Sequence, residues 1–333
     1  MIRLAINGFG RIGRAVFKIA LEDKDVEVVA INDLGDLENL AYLLRYDSVY
    51  GRYAREVAIK EGSLVIDNIE IATLSEADPS KLPWQDMKID VVIESTGVFT
   101  QEAEARKHIT AGAGKVIISA PTKSEGLATI VRGVNDDAMV GKDIISSGSC
   151  TTNGAAPVVA VMDGAFGVAK AMLTTVHAYT ASQSLVDGLA KNDPRRGRSA
   201  AVNIVPSSTG AAVAATKAYP KLAGKFDGVA LRVPVPVVSL ADFAMVTSKP
   251  VTVEEVNAAF KKAADKPPYK GVLTVTEDPA VSSDFVGDPH SAIVDLSMTR
   301  VVDGDLVKVM AWYDNEWGYS NRLVEQVVQI GKD

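Results

Sequence analysis

The sequence has almost no cysteine. Cys150 is the only one among 333 residues, so no disulfide can form within the chain. A metal site built from two or more thiolates is excluded for the same reason. Histidine is nearly as scarce, and His108, His177 and His290 are too few for a His-rich metal site. Basic residues are outnumbered, 35 lysines and arginines against 42 aspartates and glutamates, for a net charge of −7. A general nucleic-acid binder is usually basic, so nucleic acid is not expected as the main partner. A local basic patch for an anionic ligand remains compatible with that balance. No apolar run approaches the ~18 residues of a membrane span, and internal repeats and low-complexity stretches are absent. A glycine motif that begins at Gly8 leaves no room ahead of it for a secretory leader. A reduced, cytoplasmic protein with no membrane partner is therefore expected.

What is present is an ordinary globular composition. Hydrophobic residues make up 47% of the chain, enough for a sizeable core. The length suggests about two domains. In the first 150 residues, strand and helix patterns alternate. Ile2 to Ile6, Val26 to Ile31, Asp90 to Glu94, Lys115 to Ser119 and Asp143 to Ser146 read as short strands. Arg11 to Leu21 and Leu37 to Leu44 read as helices. Such alternation predicts a parallel sheet with crossover helices, and continuous runs such as Val91-Val92-Ile93 suit strands buried on both faces. After Cys150 the strand patterns lengthen and alternate: Ala169 to Ala178, Gly228 to Val233, Ser239 to Thr247, Gly271 to Thr276 and Leu306 to Tyr313. Helical patterns cover Ala155 to Met162, Gly210 to Ala218 and Glu254 to Ala264. The expectation is an α/β chain with two domains. A Rossmann-type doubly wound domain would span residues 1–149, and an α+β catalytic domain with a largely antiparallel or mixed sheet would span 150–315. The last helix, within 316–333, would pack back on the first domain.

The first strand leads into Gly8-Phe9-Gly10-Arg11-Ile12-Gly13 and then a helix, with Asp33 twenty positions past Gly13. This is the context a dinucleotide fingerprint requires. The glycines let the backbone turn tightly and approach a pyrophosphate, and the helix N-terminus presents N–H groups to it. Asp33 would accept hydrogen bonds from the adenosine ribose, and its charge repels a 2′-phosphate, which favours NAD over NADP. Ser95-Thr96 and Ser119 place small polar groups at strand C-terminal ends, where ligands bind in open parallel sheets, although each alone reads as an ordinary loop.

Cys150 stands in Ser149-Cys150-Thr151-Thr152-Asn153, after a strand and just before a helix, among polar neighbours. A thiol at a helix N-terminus has its thiolate stabilised by the dipole, which makes Cys150 a candidate nucleophile rather than a buried small hydrophobe. His177 lies in a strand, and a lone strand histidine is more often structural. Beside Cys150 it would serve as general base or ion-pair partner. His108 and His290 read as surface or structural. Thr180, Arg196, Arg232 and Ser207-Ser208-Thr209-Gly210 are candidates for phosphate sites, the last because it precedes a helix. The run Pro194-Arg195-Arg196-Gly197-Arg198 reads equally as a solvated or interface loop.

Taken together, these motifs resemble the phosphorylating glyceraldehyde-3-phosphate dehydrogenases. The likeness runs from Ile6–Gly13 through Ala30–Asp33, Glu94–Phe99, Ser149–Asn153, His177–Thr180, Ser208–Ala212 and Leu231–Pro234 to Trp312–Ser320. It implies a homotetramer that oxidises D-glyceraldehyde 3-phosphate with NAD and inorganic phosphate. Cys150 would form a thiohemiacetal and then a thioester, with His177 as base and the Cys150 N–H and His177 stabilising the oxyanion. Thr180 and Arg232 would hold the substrate phosphate, and Ser149, Thr151, Thr209, Gly210 and Arg196 the attacking phosphate. Asn315 would bind the nicotinamide amide and Tyr319 would flank its ring. The segment Tyr179 to Asn203 would reach a neighbouring subunit. The chain departs from the family pattern in carrying Gly154 where a second cysteine is common, Ala181-Ser182 in place of Asn-Asp, Leu189 in place of proline, and Ser147-Gly148 in place of Asn-Ala. The Ala181-Ser182 and Leu189 changes bear on substrate and on NAD against NADP. Two rival readings are a sibling erythrose-4-phosphate dehydrogenase and a non-catalytic NAD-binding regulator of the same fold.

Overall fold

The computed structural model describes residues 1–190 and 193–332. Lys191 and Asn192, inside the 179–203 segment, lie outside the described residues. The chain forms two compact units: Met1–Ile130 with Asp137–Gly148 and Ser320–Asp333, and Val131–Asp136 with Ser149–Tyr319.

The first unit contains β1 (Ile2–Asn7), α1 (Arg11–Ala20), β2 (Val26–Asn32), α2 (Leu37–Arg45), the ribbon β3 (Tyr46–Asp47) and β4 (Gly51–Arg52), and β5 (Val57–Lys60). It continues with β6 (Ser63–Ile66), β7 (Ile69–Leu74), β8 (Val91–Glu94), α3 (Glu102–Thr110), β9 (Lys115–Ile118) and β10 (Ile144–Ser146). Its sheet runs β10-β9-β8-β1-β2-β7-β6-β5, parallel from β10 to β7 and antiparallel at the β7-β6-β5 edge. Strand order reverses at β1, which lies between β2 and β8, so the crevice beyond the C-terminal end of β1 is the ligand position of an open α/β sheet. The apolar runs predicted as doubly buried strands are so: Val91, Val92 and Ile93 are all fully buried. The sequence reading passed over the β5-β6-β7 meander. Its two tight turns use left-handed residues, Glu61-Gly62 and Asp67-Asn68, which let two-residue connections follow the sheet twist.

The second unit contains α4 (Cys150–Phe166), β11 (Val168–Ala178), β12 (Val205–Ser208), α5 (Ala211–Ala218), β13 (Phe226–Val233), β14 (Ser239–Thr247), α6 (Val253–Ala264), β15 (Leu273–Thr276), β16 (Ala292–Asp295), β17 (Arg300–Val302), β18 (Leu306–Tyr313) and the start of α7 (Trp317–Ile330). The sheet runs β12-β13-β11-β14-β18-β16-β15, with β17 on β18. It is mixed: β11 pairs β13, and β15 pairs β16, in parallel. The α/β class and the mixed second sheet agree with the sequence reading. Residues from α4, α5 and α6 share one apolar cluster with the inward side chains of β11, β14, β16 and β18. The helix predicted from Ala155 begins five residues earlier, at Cys150, because Ser149 caps it: the Ser149 side chain accepts from the Thr152 N–H at 3.1 Å. Residues Thr151 to Met162 of α4 are all buried, which is why its pattern shows no polar face.

Candidate active site

In the first unit the glycine loop is shaped by contacts that exclude side chains. A Cβ on Gly13 would lie 2.1 Å from the Gly8 carbonyl oxygen, and one on Gly8, at φ +94, would lie 2.6 Å from the Thr96 nitrogen. Gly10, the N-cap of α1, has nothing within 4 Å of its would-be Cβ and offers no side-chain cap to the helix. Helix α1 has no acidic residue in its first turn, which Arg11 and Ile12 open. A helix N-terminus whose N-cap residue has no side chain, behind a glycine turn, is a seat for a pyrophosphate, so the residues fit a dinucleotide. Arg11 is drawn to the side by Asp47, at 2.7 Å. The Asp33 carboxylate accepts from the Phe9 N–H at 2.7 Å and the Gly35 N–H at 2.8 Å, which pins it beside the loop. Ser95 donates its hydroxyl to the Gly8 carbonyl at 2.7 Å, and Ser119 follows β9 with its N–H on the Glu94 carbonyl at 2.9 Å. Thr96 lies directly against Gly8.

In the second unit Cys150 opens α4 and His177 is the last residue but one of β11, and Nε2 of His177 lies 3.5 Å from Sγ of Cys150. His177 Nδ1 lies 2.7 Å from the Ala178 carbonyl oxygen. The Ala178 oxygen calls for a proton on Nδ1, whereas the Arg232 Nη1 donor 2.8 Å away calls for a lone pair there. We assign the proton to Nδ1, with the Arg232 donor satisfied by the Ala178 oxygen, which leaves the Nε2 lone pair facing sulfur. Arg232, beside His177 in register on β13, places Nη1 2.8 Å from Nδ1 and donates to the Ala178 oxygen at 3.1 Å. Burial, reinforced by this guanidinium charge, holds the His177 pKa down to about 3, so the imidazole is neutral. Burial pushes the Cys150 thiol up, while Arg232 and Thr151 pull it the other way. Burial thus outweighs the stabilisation expected of a thiolate at a helix N-terminus.

Tyr313 is the hub that sequence reasoning missed. Its buried hydroxyl lies 2.8 Å from both the Thr151 and the Thr175 hydroxyls, and its ring meets His177 edge-on at 6.1 Å. The only sequence signal was its place in the Trp312–Ser320 motif. Gly154 permits this packing: a Cβ there would stand 3.1 Å from the Ser291 oxygen and 3.3 Å from the Tyr313 ring. Among the described residues, neither Nε of Arg232 nor Nε2 of Gln183, both close to this cluster, has a protein partner. Gln183 also accepts from the Thr180 N–H at 3.3 Å, and the Thr180 hydroxyl pairs with Ser182 at 2.9 Å. Arg196 reaches Ser207 on β12 at 3.1 Å, one strand from Arg232. Ser182, Ser184, Leu189, Ala190, Asp193, Arg196 and Ser208 line a cavity of about 550 Å³. Thr209 and Gly210 stand at the start of α5, where their hydrogen bonds stay within the turn. Asn315 is buried and accepts from the Ser239 hydroxyl at 3.1 Å, and Tyr319 is buried as well. His108 is buried completely, in the first unit, whereas His290 is half-exposed and pairs with Asp288. Among the described residues no cluster of His, Cys, Asp and Glu could hold a metal, and no helix is long and apolar enough to cross a membrane.

Each unit therefore carries one half of an aldehyde dehydrogenase's equipment, a dinucleotide seat in one and a thiol–imidazole–guanidinium cluster in the other. Comparison with known proteins finds the same two parts. Residues 2–102 match the NAD binding domain of glyceraldehyde 3-phosphate dehydrogenase, and residues 149–315 match its C-terminal domain. The chain is 52% identical to a glyceraldehyde-3-phosphate dehydrogenase of Streptomyces coelicolor, covering 99% of this chain and 98% of the relative. It is 51% identical to one of Mycobacterium tuberculosis strain H37Rv, covering 99% of both, and 49% identical to glyceraldehyde-3-phosphate dehydrogenase 1 of Bacillus subtilis, covering 99% and 98%. With both domains matched in order and the likeness running the length of the chain, the protein belongs to the glyceraldehyde-3-phosphate dehydrogenase family.

Proposed function

We propose that the chain oxidises D-glyceraldehyde 3-phosphate to 1,3-bisphosphoglycerate with NAD and inorganic phosphate, and that Cys150 is the nucleophile. The observation that carries this is the 3.5 Å approach of a neutral His177 Nε2 to the Cys150 sulfur, with Arg232 beside them. Residues 1–149 with 316–333 act as the NAD-binding domain, and 150–315 as the catalytic domain. Gly8, Gly10, Arg11, Ile12, Gly13, Asp33, Ser95, Thr96 and Ser119 hold the dinucleotide, and Asn315 and Tyr319 serve its nicotinamide end.

Arg232 and Thr180 take the substrate's phosphate. Arg232 can give its unpartnered Nε, and a dianion there offsets the charge that depresses His177. Nε2 then accepts the thiol proton as Sγ attacks the aldehyde carbon. The resulting imidazolium and the Cys150 backbone N–H, at the start of α4, face the developing oxyanion. Bound NAD supplies the hydride acceptor by which the thiohemiacetal becomes a thioester. The imidazolium gives its proton to the oxyanion, forming the thiohemiacetal hydroxyl, and takes it back as hydride leaves the carbon. Ser149, Thr151, Arg196, Thr209 and Gly210 bind the second phosphate, whose attack on the thioester carbon releases the product and returns Cys150 as thiolate.

A homotetrameric state in the cytoplasm completes the reading. Leu185, Val186, Leu189, Val202 and Ile204 are each at least 67% exposed, more apolar surface than one short segment keeps in water unless another copy covers it. The test of the chemistry is to mix the protein with NAD and glyceraldehyde 3-phosphate while omitting phosphate, quench in acid, and map the acyl adduct by mass spectrometry. Acylation of Cys150 supports the reading, and an unmodified Cys150 after NADH has formed would refute it.

A further inference from the structure

A buried polar row at the C-terminal ends of β8, β1 and β2 takes no part in that chemistry. Glu94, Asn7 and Asn32 stand abreast in register, and each is at most 4% exposed. Asn32 Nδ2 donates to Asn7 Oδ1 at 2.6 Å, and Asn7 Nδ2 donates to Glu94 Oε2 at 2.5 Å. On the far side, Trp84 Nε1 donates to His108 Nδ1 at 2.9 Å. An indole nitrogen can only donate, so Nδ1 must be the unprotonated nitrogen of the ring. Nε2 therefore carries the ring proton and donates it to Glu94 Oε2, at 3.2 Å. The other carboxylate oxygen, Oε1, accepts from the Thr96 N–H at 2.8 Å and from the Thr96 hydroxyl. Glu94 thus meets only donors: an amide, an imidazole, a backbone N–H and a hydroxyl.

Thr96 is where this chain of bonds meets the nucleotide seat, because its backbone nitrogen is the atom that a Cβ on Gly8 would strike. We propose that Trp84, His108 and Glu94 form a positioning relay, which fixes Thr96 against the glycine loop and thereby sets the affinity for the dinucleotide. The relay rests on the reading of Gly8–Gly13 as that seat. The three residues act through Thr96 and are positioning residues, not cofactor contacts. A glutamine at 94 keeps the shape but cannot serve both ends. Its amide group faces either the Thr96 donors or the Asn7 and His108 donors, and one pair of hydrogen bonds turns into a donor–donor contact.

The experiment titrates NAD onto the full chain by calorimetry, wild type against Glu94→Gln and Trp84→Phe. In parallel, the indole N–H resonances are recorded and Cys150 is alkylated by iodoacetamide without NAD. For Glu94→Gln the dissociation constant of NAD is expected to rise about tenfold, from the loss of one buried charged hydrogen bond. The loss should fall on KM for NAD rather than on kcat, and the Trp84 indole resonance should shift. The alkylation rate should hold, since Cys150 and its neighbours belong to the other unit. Trp84→Phe should raise the constant by less, because Glu94 keeps Thr96. NAD bound with the wild-type constant by Glu94→Gln overturns the relay alone. If Glu94→Gln does not fold, a wild-type constant in Trp84→Phe overturns it. Wild-type protein that fails to bind NAD overturns the seat and the relay together.

Discussion

Replacing His177 by asparagine separates its chemistry from its place in the fold. The asparagine amide can copy Nδ1–H and donate to the Ala178 carbonyl, which the imidazole meets at 2.7 Å. It has no atom at the Nε2 position, 3.5 Å from sulfur. The variant keeps the anchor and loses the base. Positioned general acid–base groups contribute about 10²–10⁴ in rate, or about 3–5 kcal/mol of barrier, and turnover should fall by that factor. The same substitution carries a second signature. The folded-state pKa of His177, about 3, is below its ordinary value of 6.5. Between those values the unfolded chain binds more protons than the native one, so His177 destabilises the wild type progressively as pH falls through that window. The slope is at most about 1.4 kcal/mol per pH unit. His177→Asn should lose that part of the acid sensitivity. Turnover follows NADH absorbance, and acid stability follows chemical denaturation at a series of pH values. A variant that keeps turnover within about threefold of wild type, a difference below 1 kcal/mol in barrier, would end the assignment of His177 as base. An unchanged acid slope would show that the ring is not held neutral.

Arg232→Ala should raise KM for glyceraldehyde 3-phosphate by about 30- to 100-fold, the worth of a charge-assisted contact. Any loss it causes at Cys150 and His177 falls on unphosphorylated glyceraldehyde as well, so the excess loss on the phosphorylated aldehyde reads the phosphate contact. Equal losses on both aldehydes would mean that Arg232 does not read the phosphate. Asp33→Ala should increase NADP use relative to NAD, measured as the ratio of kcat/KM. It should also cost about 1–3 kcal/mol of stability, because the Phe9 and Gly35 N–H groups lose their acceptor, and an unmoved ratio would remove Asp33 from the ribose. Tyr313→Phe should lower stability by about 1–2 kcal/mol, since two buried threonine hydroxyls lose one partner, and a melting temperature equal to wild type would contradict that packing.

Features carried by short runs of sequence were legible in advance. The glycine turn announces itself because only glycine fits where a Cβ would lie 2.1 Å from a carbonyl, and Cys150 because its polar flanks build a helix cap. The strands β1, β2 and β8 follow from apolar runs, and β11 from an alternating pattern, with burial set by their place in a sheet. Long-range chemistry was not legible. Tyr313 reaches Thr151 and Thr175 across 162 and 138 residues, and local periodicity contains no trace of such a meeting. His108 read as surface or structural because nothing near it in the sequence suggests chemistry, and only the fold brings it inward to Trp84 and Glu94. The β5-β6-β7 meander was passed over although Asp67-Asn68 offered a turn signal, because its strands are only four to six residues long.

The central claim is a thioester on Cys150 that inorganic phosphate cleaves, and one measurement addresses it. NADH absorbance is followed after mixing the protein with NAD and glyceraldehyde 3-phosphate, with and without inorganic phosphate. A burst limited by the number of Cys150 sites is expected when phosphate is absent, and sustained turnover once it is added. Sustained NADH formation at the same rate without phosphate would contradict the claim, because water rather than phosphate would then be releasing the acyl group.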